Sequence, residues 1–196
     1  LGAFERIATG EMTLDDETQA KLTLMIRNSS NQAATEILNQ VGKSYLADLL
    51  QSPRYRLYDP ERNGGLWVGK AYSKSGAWKR DPLHNLSHGA TALQVARFYY
   101  MLQTGQLVSP EYSKQMKSIL ADPAIKHKFV KGLESKYPDH RIYRKSGTWG
   151  QFHSDSAIIE HDGRRYIAVA LAKSPLGGKW LSELIVAMDD LITRSN

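Results

Sequence analysis

Residues 141–173 read RIYRKSGTWGQFHSDSAIIEHDGRRYIAVALAK. The stretch contains three runs of strand character, HRIYRKSGTWG from 140, HSDSAIIEH from 153 and RRYIAVALAK from 164, each holding β-branched or aromatic residues. Asp162-Gly163 joins the last two. That dipeptide favours a two-residue hairpin turn because both residues tolerate positive φ. An antiparallel sheet over about 141–173 is therefore expected. Beyond it, KWLSELIVAMDDLI (179–192) repeats at helical spacing. Trp180, Leu184, Met188 and Leu191 share one face of that helix and are expected to cover the sheet.

Upstream the text reads mainly as helix. DDETQAKLTLMIRN, the run after Ser29, KSYLADLLQ, TALQVARFYYMLQTG and SPEYSKQMKSILA all carry helical periodicity, with Gly105 as a stop signal and Thr91 and Ser109 as caps. Residues 53–89 break the pattern, being rich in Gly, Pro, Ser, Asn and aromatic residues, and read as a long ordered loop of the kind that is usually functional. The expectation is a single α+β domain over 1–196, with a mainly helical lobe at 11–130 and the C-terminal strands and helix at 131–196.

With 196 residues and 22.0 kDa the chain is long enough to bury a core. The absence of Cys excludes disulfides and thiol catalysis, and no apolar run reaches the ~20 residues that span a bilayer. Net charge is +6 and the pI about 9.4. Basic residues are densest from Lys126 to Lys145, but Glu134 and Asp139 interrupt them and no nucleic-acid motif accompanies them. A solvated basic face, or one that attracts an anionic small substrate, fits better than a nucleic-acid partner. LGAFERIATGEM carries a helical stripe from its first residue without a capping residue, so the chain is expected to open inside a helix.

Two short segments are anomalous. In IRNSSNQAATEIL (26–38), four small polar residues interrupt a helical run. Local rules assign them to capping, with Ser29 as the cap and Ser29-Gln32 in the spacing of a capping box. In the first strand, Lys145-Ser146-Gly147-Thr148 places a cation, two hydroxyls and a glycine where an ordinary strand would hold packing residues. An edge strand guarded by Lys would explain it as well.

Taken together, S-x-N at a helix start and K-S-G on the first strand of a C-terminal sheet resemble the penicillin-recognising serine enzymes. These are the class A β-lactamases and related DD-peptidases, with motifs S-x-x-K, S-D-N and K-T-G. SSNQAATEIL, TALQVARFYYMLQTG and the three strands with their terminal helix extend the likeness over most of the chain. The resemblance implies a β-lactamase/transpeptidase-like fold and roles for particular residues. Ser29 would relay a proton to the departing ring nitrogen beside Lys145, whose charge attracts the substrate carboxylate. Asn31 would bond the substrate's side-chain amide. Ser146 and Thr148 would bind the carboxylate, the Thr148 N–H would form half of the oxyanion hole, and Gly147 would let the acyl portion lie along the strand edge. The substrate would be a β-lactam or a peptidoglycan-like peptide, no cofactor is implied, and the location would be periplasmic or secreted.

The pattern departs from the family in two places. None of the serines has Lys three positions later, so S-x-x-K does not occur in this sequence. The resemblance would place it a few residues upstream, making this chain a fragment without the N-terminal strands and the start of the nucleophile helix. Second, DPERN at 59–63 is similar to the family's E-P-E-L-N loop, with Asp59 as the candidate deacylation base and Asn63 retained; a Pro-containing turn explains it equally well. His84 and His88 have i, i+4 spacing, but Pro82 and Gly89 argue against the helix a metal site would need, and no metal is expected. His153 reads as a turn residue. Trp67, Tyr72 and Trp78 read as anchors of the loop or the lining of a groove.

Overall fold

The computed structural model describes residues 1–74 and 76–194. It divides into two compact units, Leu1–Ile119 and Leu120–Asn196. The segment 120–130, assigned from sequence to the helical lobe, therefore groups with the sheet.

The first unit opens with α1 (Gly2–Ala8), α2 (Asp16–Arg27), α3 (Asn31–Val41) and α4 (Lys43–Gln51). Their apolar faces supply a core of Phe4, Leu22, Ile37, Leu38, Val41 and Leu50. Close approach of α1 is possible because Gly2 has no side chain: a Cβ there would stand 2.8 Å from Val41 Cγ1. The described residues of 53–89 are ordered, as the composition predicts, but not as plain loop. Four two-residue strands form two small ladders, β1 (Tyr58–Asp59) with β2 (Gly64–Gly65) and β3 (Trp67–Val68) with β4 (His88–Gly89). Trp67 is buried, its ring 5.0 Å from that of Tyr58 and its indole N–H donating to the Lys79 carbonyl at 3.2 Å. It is an anchor, not a groove wall. Helices α5 (Ala92–Gln103) and α6 (Pro110–Leu120) follow, α5 opening on a Thr91 cap whose hydroxyl accepts from Gln94 N.

The second unit holds α7 (Phe129–Glu134), the sheet β5 (Arg141–Trp149), β6 (Phe152–His161) and β7 (Arg164–Lys173), and α8 (Gly177–Arg194). The strands lie in the order β5-β6-β7, antiparallel throughout. Asp162 and Gly163 both have positive φ, 49° and 74°, which is the backbone a tight hairpin turn demands. Ile142, Ala157, Ile159, Ala168 and Ala170 point to the face that packs with Phe129, Val130 and Leu133 of α7 and Leu181 and Ile185 of α8.

The phase of α8 differs from the expected one. Leu181, Ile185 and Asp189 are buried, while Trp180, Leu184 and Leu191 are exposed and only Met188 packs partly on the core. Apolar residues occupy two overlapping stripes of this helix, so periodicity does not choose between them; two glycines do. A Cβ on Gly177 would meet the His153 ring at 2.7 Å, and one on Gly132 of α7 would meet the Ser182 carbonyl oxygen at 2.2 Å. Those approaches fix the rotation of α8. Gly132→Ala should therefore force α7 and α8 apart and cost about 1–3 kcal/mol, read as a lowered midpoint in urea denaturation; an unchanged midpoint would contradict the close approach.

Candidate active site

The turn between α2 and α3 carries the first motif. Asn28 ends α2, its N–H donating to Leu24 O at 3.2 Å, and the chain must reverse before α3 begins at Asn31. Ser29 makes that reversal with φ at 55°, in the left-handed region that residues other than Gly, Asn and Asp rarely adopt. Ser30 then falls at the cap position, where its hydroxyl accepts from Ala33 N at 3.2 Å. Sequence reasoning assigned the cap to Ser29; the structure gives it to the next serine. The Ser29-Gln32 box does not form either, since Gln32 donates to Glu36 at 2.9 Å. Ser29 thus occupies a strained position without serving the cap, as residues held for function often do. Asn31, the first residue of the helix, is exposed.

Asp59 is buried, and its carboxylate is engaged. It accepts from the Glu61 N–H and from Arg56, each at 3.1 Å, lies 3.7 Å from Arg62, and caps the 3-10 turn Pro60–Arg62. Asn63 follows with φ of 62°, its amide oxygen 2.9 Å from His84 Nε2. Nearby, Asp81 accepts from Tyr58 OH and from the N–H groups of Leu83, His84 and Leu86, tying down the return of the loop. A cavity of about 110 Å3 lies among Asn63, Gly65, Asp81, His84 and Thr91. His88 stacks on Tyr72 with ring centroids 4.9 Å apart. Among the described residues no group of His, Asp and Glu could hold a metal ion.

The second unit carries the other motif on β5, an edge strand of the sheet. Register decides which way its backbone points. Trp149 pairs with Phe152 across a two-residue turn, so the ladder bonds fall on alternate pairs from there. Ser146 and Thr148 lie on the intervening pairs, and their N–H groups point away from β6. Lys145 is drawn down from its ordinary value to about 8 by burial first and then by the Arg144 cation, with Asp155 opposing. Its ammonium donates to the Ser146 carbonyl at 2.5 Å. Gly147 sits opposite Ser154, whose hydroxyl would stand 2.7 Å from a Cβ at 147. Within this unit, then, the glycine leaves room for a neighbouring hydroxyl. His153 is part-buried against Gly177 and Gly178 and belongs to the packing of α8.

Beneath β5 lies a polar network absent from the sequence reading. Arg144 and Asp155 are both buried and joined by two bonds of 2.8 Å. Arg144 also donates to the carbonyls of Ile125 (2.6 Å) and His127 (3.0 Å) and to His127 Nδ1 (2.8 Å). A guanidinium only donates, so His127 carries its proton on Nε2, and burial and the Arg144 charge lower its pKa. Asp155 accepts from the Phe129 N–H at 3.1 Å. Lys128, held between these bonds, reaches Gly147 O (2.5 Å), Thr148 Oγ1 (2.8 Å) and Ser154 O (3.1 Å). One sequence signal pointed here: Arg144 and Asp155 are charged residues in phase with the inward-facing Ile142, Ala157 and Ile159.

A model of the β-lactamase enzyme family matches residues 9–193. The chain belongs to that family. Comparison with curated proteins gives no match. Among solved structures, PBP-A aligns with a TM-score of 0.73 at 14% identity, covering 98% of this chain and 77% of its own. A β-lactamase from Chitinophaga pinensis DSM 2588 aligns at 0.73 and 12% identity, covering 96% and 81%. A β-lactamase from Sphaerobacter thermophilus DSM 20745 aligns at 0.67 and 17%, covering 86% of this chain and 60% of that one. One further structure of PBP-A, of a mutant, is an acyl-enzyme complex with penicillin G. The fold is that of β-lactamase-like and penicillin-binding serine hydrolases, α+β, as the motifs implied.

The two serines of the family's S-x-N turn are separable by stability. Ser30→Ala should cost roughly 0.5–2 kcal/mol through loss of the cap, whereas Ser29→Gly should cost less, because glycine accepts the positive φ that Ser29 adopts. Thermal denaturation of both variants measures this, and equal destabilisation would contradict the division of roles.

Proposed function

We propose that the protein is a serine acyl-transfer enzyme of the β-lactam-reactive kind, opening the β-lactam ring through an acyl-enzyme on a serine upstream of residue 1. The observation that carries this is the edge strand β5, which aims the Ser146 and Thr148 N–H groups outward beside the Lys145 cation and the Thr148 hydroxyl. An extended substrate lies along such an edge. The nucleophile's oxygen bonds to the ring carbonyl carbon, the carbonyl oxygen gains charge and takes a bond from the Thr148 N–H, and the C–N bond breaks with its electron pair on nitrogen. One donor of this type contributes ~3 kcal/mol. The proton the nucleophile's hydroxyl gives up is relayed by Ser29 to that nitrogen, Asn31 binds the side-chain amide, and Ser146 and Thr148 take the carboxylate. Water then hydrolyses the ester. That substrate class carries with it a periplasmic or secreted location.

Asp59 favours a slower second half of this reaction. A deacylation base needs an oxygen available to a water, and this carboxylate serves a cap and Arg56. The reading that follows is long-lived acylation, as in a D-Ala-D-Ala peptidase or penicillin-binding protein, rather than rapid β-lactam turnover. Intact mass of the full-length protein after mixing with penicillin and then with a chromogenic cephalosporin separates the cases. A persistent stoichiometric adduct supports the second reading, rapid colour development the hydrolase, and no adduct at all a non-catalytic ligand-binding module.

Residues 1–196 alone should not be labelled by a fluorescent penicillin, while the same chain extended upstream through S-x-x-K should be. Ser29 faces the leaving nitrogen in this scheme, and a reacting atom misplaced by ~1 Å can cost about a hundredfold. A penicilloyl group mapped to Ser29 in the short chain would overturn both the relay role and the upstream nucleophile.

Lys145 sets the pH dependence. It is cationic below about 8 and neutral above it, so attraction for an anionic substrate is present at low pH and lost as pH rises. The acylation rate constant kcat/KM of the full-length enzyme should fall on an alkaline limb near pH 8, and Lys145→Arg should move that limb above pH ~10 because guanidinium stays charged. A limb unmoved by the substitution would exclude Lys145 as its origin.

A further inference from the structure

Lys128 is 3% exposed and takes a positive φ of 54°, a backbone that a residue with a side chain adopts only when its surroundings impose it. The surroundings do so on both sides: Arg144 holds the carbonyls of Ile125 and His127, and Asp155 holds the N–H of Phe129. The side chain so delivered ends in an ammonium with three donors and no acceptor. All three donors are used, by Gly147 O, Thr148 Oγ1 and Ser154 O, at 2.5, 2.8 and 3.1 Å. Lys128 therefore has no donor left for a ligand.

The consequence falls on Thr148. A hydroxyl that accepts from an ammonium cannot direct its own hydrogen at that ammonium, so the Thr148 hydrogen is turned away from Lys128. Thr148 is itself exposed, and its hydrogen is available to an anion arriving at the strand. Without Lys128 no inner donor fixes the hydroxyl as an acceptor, and it is free to turn its hydrogen inward and present lone pairs to the substrate.

We propose that Lys128 is a positioning residue that locks the Thr148 hydroxyl as a donor toward the carboxylate of the substrate, and so sets the preference for carboxylate-bearing over esterified or neutral acyl donors. This rests on the reading of β5 as the substrate-binding strand. The role is distinct from direct charge attraction, which belongs to Lys145. Lys128 acts through one hydroxyl and is silent when that hydroxyl is absent.

The test uses the full-length protein and compares acylation by benzylpenicillin with acylation by its methyl ester, in wild type, Lys128→Met, Lys128→Arg, Thr148→Val and the Lys128→Met/Thr148→Val double variant. Lys128→Met should reduce the acid-over-ester preference about tenfold, through KM and not kcat, and Lys128→Arg should restore at least a third of it. In the Thr148→Val background, Lys128→Met should change the preference less than twofold. Equal loss toward acid and ester, or full additivity of the two substitutions, would overturn the proposal and leave Lys128 a structural staple. Should Lys128→Met fail to fold, Thr148→Val still decides: an unchanged acid preference in that variant overturns the proposal. Wild type that benzylpenicillin does not acylate overturns the reading of the strand, and this role with it. Wild type that is acylated, with the preference intact in all variants, overturns this role alone.

Discussion

The arrangement of the second unit depends on the buried ion pair of Arg144 and Asp155. Two opposite charges removed from water are stable only when their remaining donors and acceptors are also satisfied, and breaking such a pair leaves a lone buried charge at a cost of about 3–5 kcal/mol. Here the remaining groups are satisfied by the chain's own backbone, the carbonyls of Ile125 and His127 and the N–H of Phe129. The pair therefore joins β5 to β6 and also fixes the path of residues 125–129. Through that path it begins α7, whose Phe129, Val130 and Leu133 fill the core under the sheet, and it places Lys128 beneath Gly147 and Thr148. One ion pair thus connects the hydrophobic core to the strand that carries the K-S-G-T motif.

Part of this was legible in the sequence because it depends on local chemistry. The hairpin at Asp162-Gly163 follows from the tolerance of two adjacent residues for positive φ. The K-S-G-T strand stood out because its residues pack poorly and carry chemistry. The remainder required contacts between distant segments. Whether Ser29 or Ser30 caps α3 depends on where the chain reverses after α2, and the rotation of α8 depends on Gly132 and Gly177 meeting the Ser182 carbonyl and the His153 ring. The two-residue ladders of 58–89 have no periodicity to read; they exist because Gly65 lies against the Leu57 carbonyl and Trp67 is buried beside Tyr58. The place of Lys128 was unreadable because its ammonium is met by groups from two strands, Gly147 and Thr148 of β5 and Ser154 of β6.

The loop carboxylates show how a motif can match by residue type and differ in office. Asp59 sits where the family's pattern puts a base, yet its oxygens are occupied by a cap and by arginines, and Asp81 is spent on Tyr58 and three backbone N–H groups. Both carboxylates organise the loop. On β5, by contrast, the Ser146 and Thr148 N–H groups point away from β6, and the Lys145 ammonium, whose pKa is lowered chiefly by burial, donates to the Ser146 carbonyl.

The central claim is that the Arg144–Asp155 pair holds β5 and the path of residues 125–129 together. Amide hydrogen exchange of the Arg144→Met variant against wild type tests it most directly. The account predicts that the Phe129 amide, and those of 125–128, exchange at least tenfold faster in the variant, with a larger loss of protection than at Ala157–Ile159 in the middle of the sheet. Protection at Phe129 that is unchanged, or that falls only in step with the sheet centre, would contradict it.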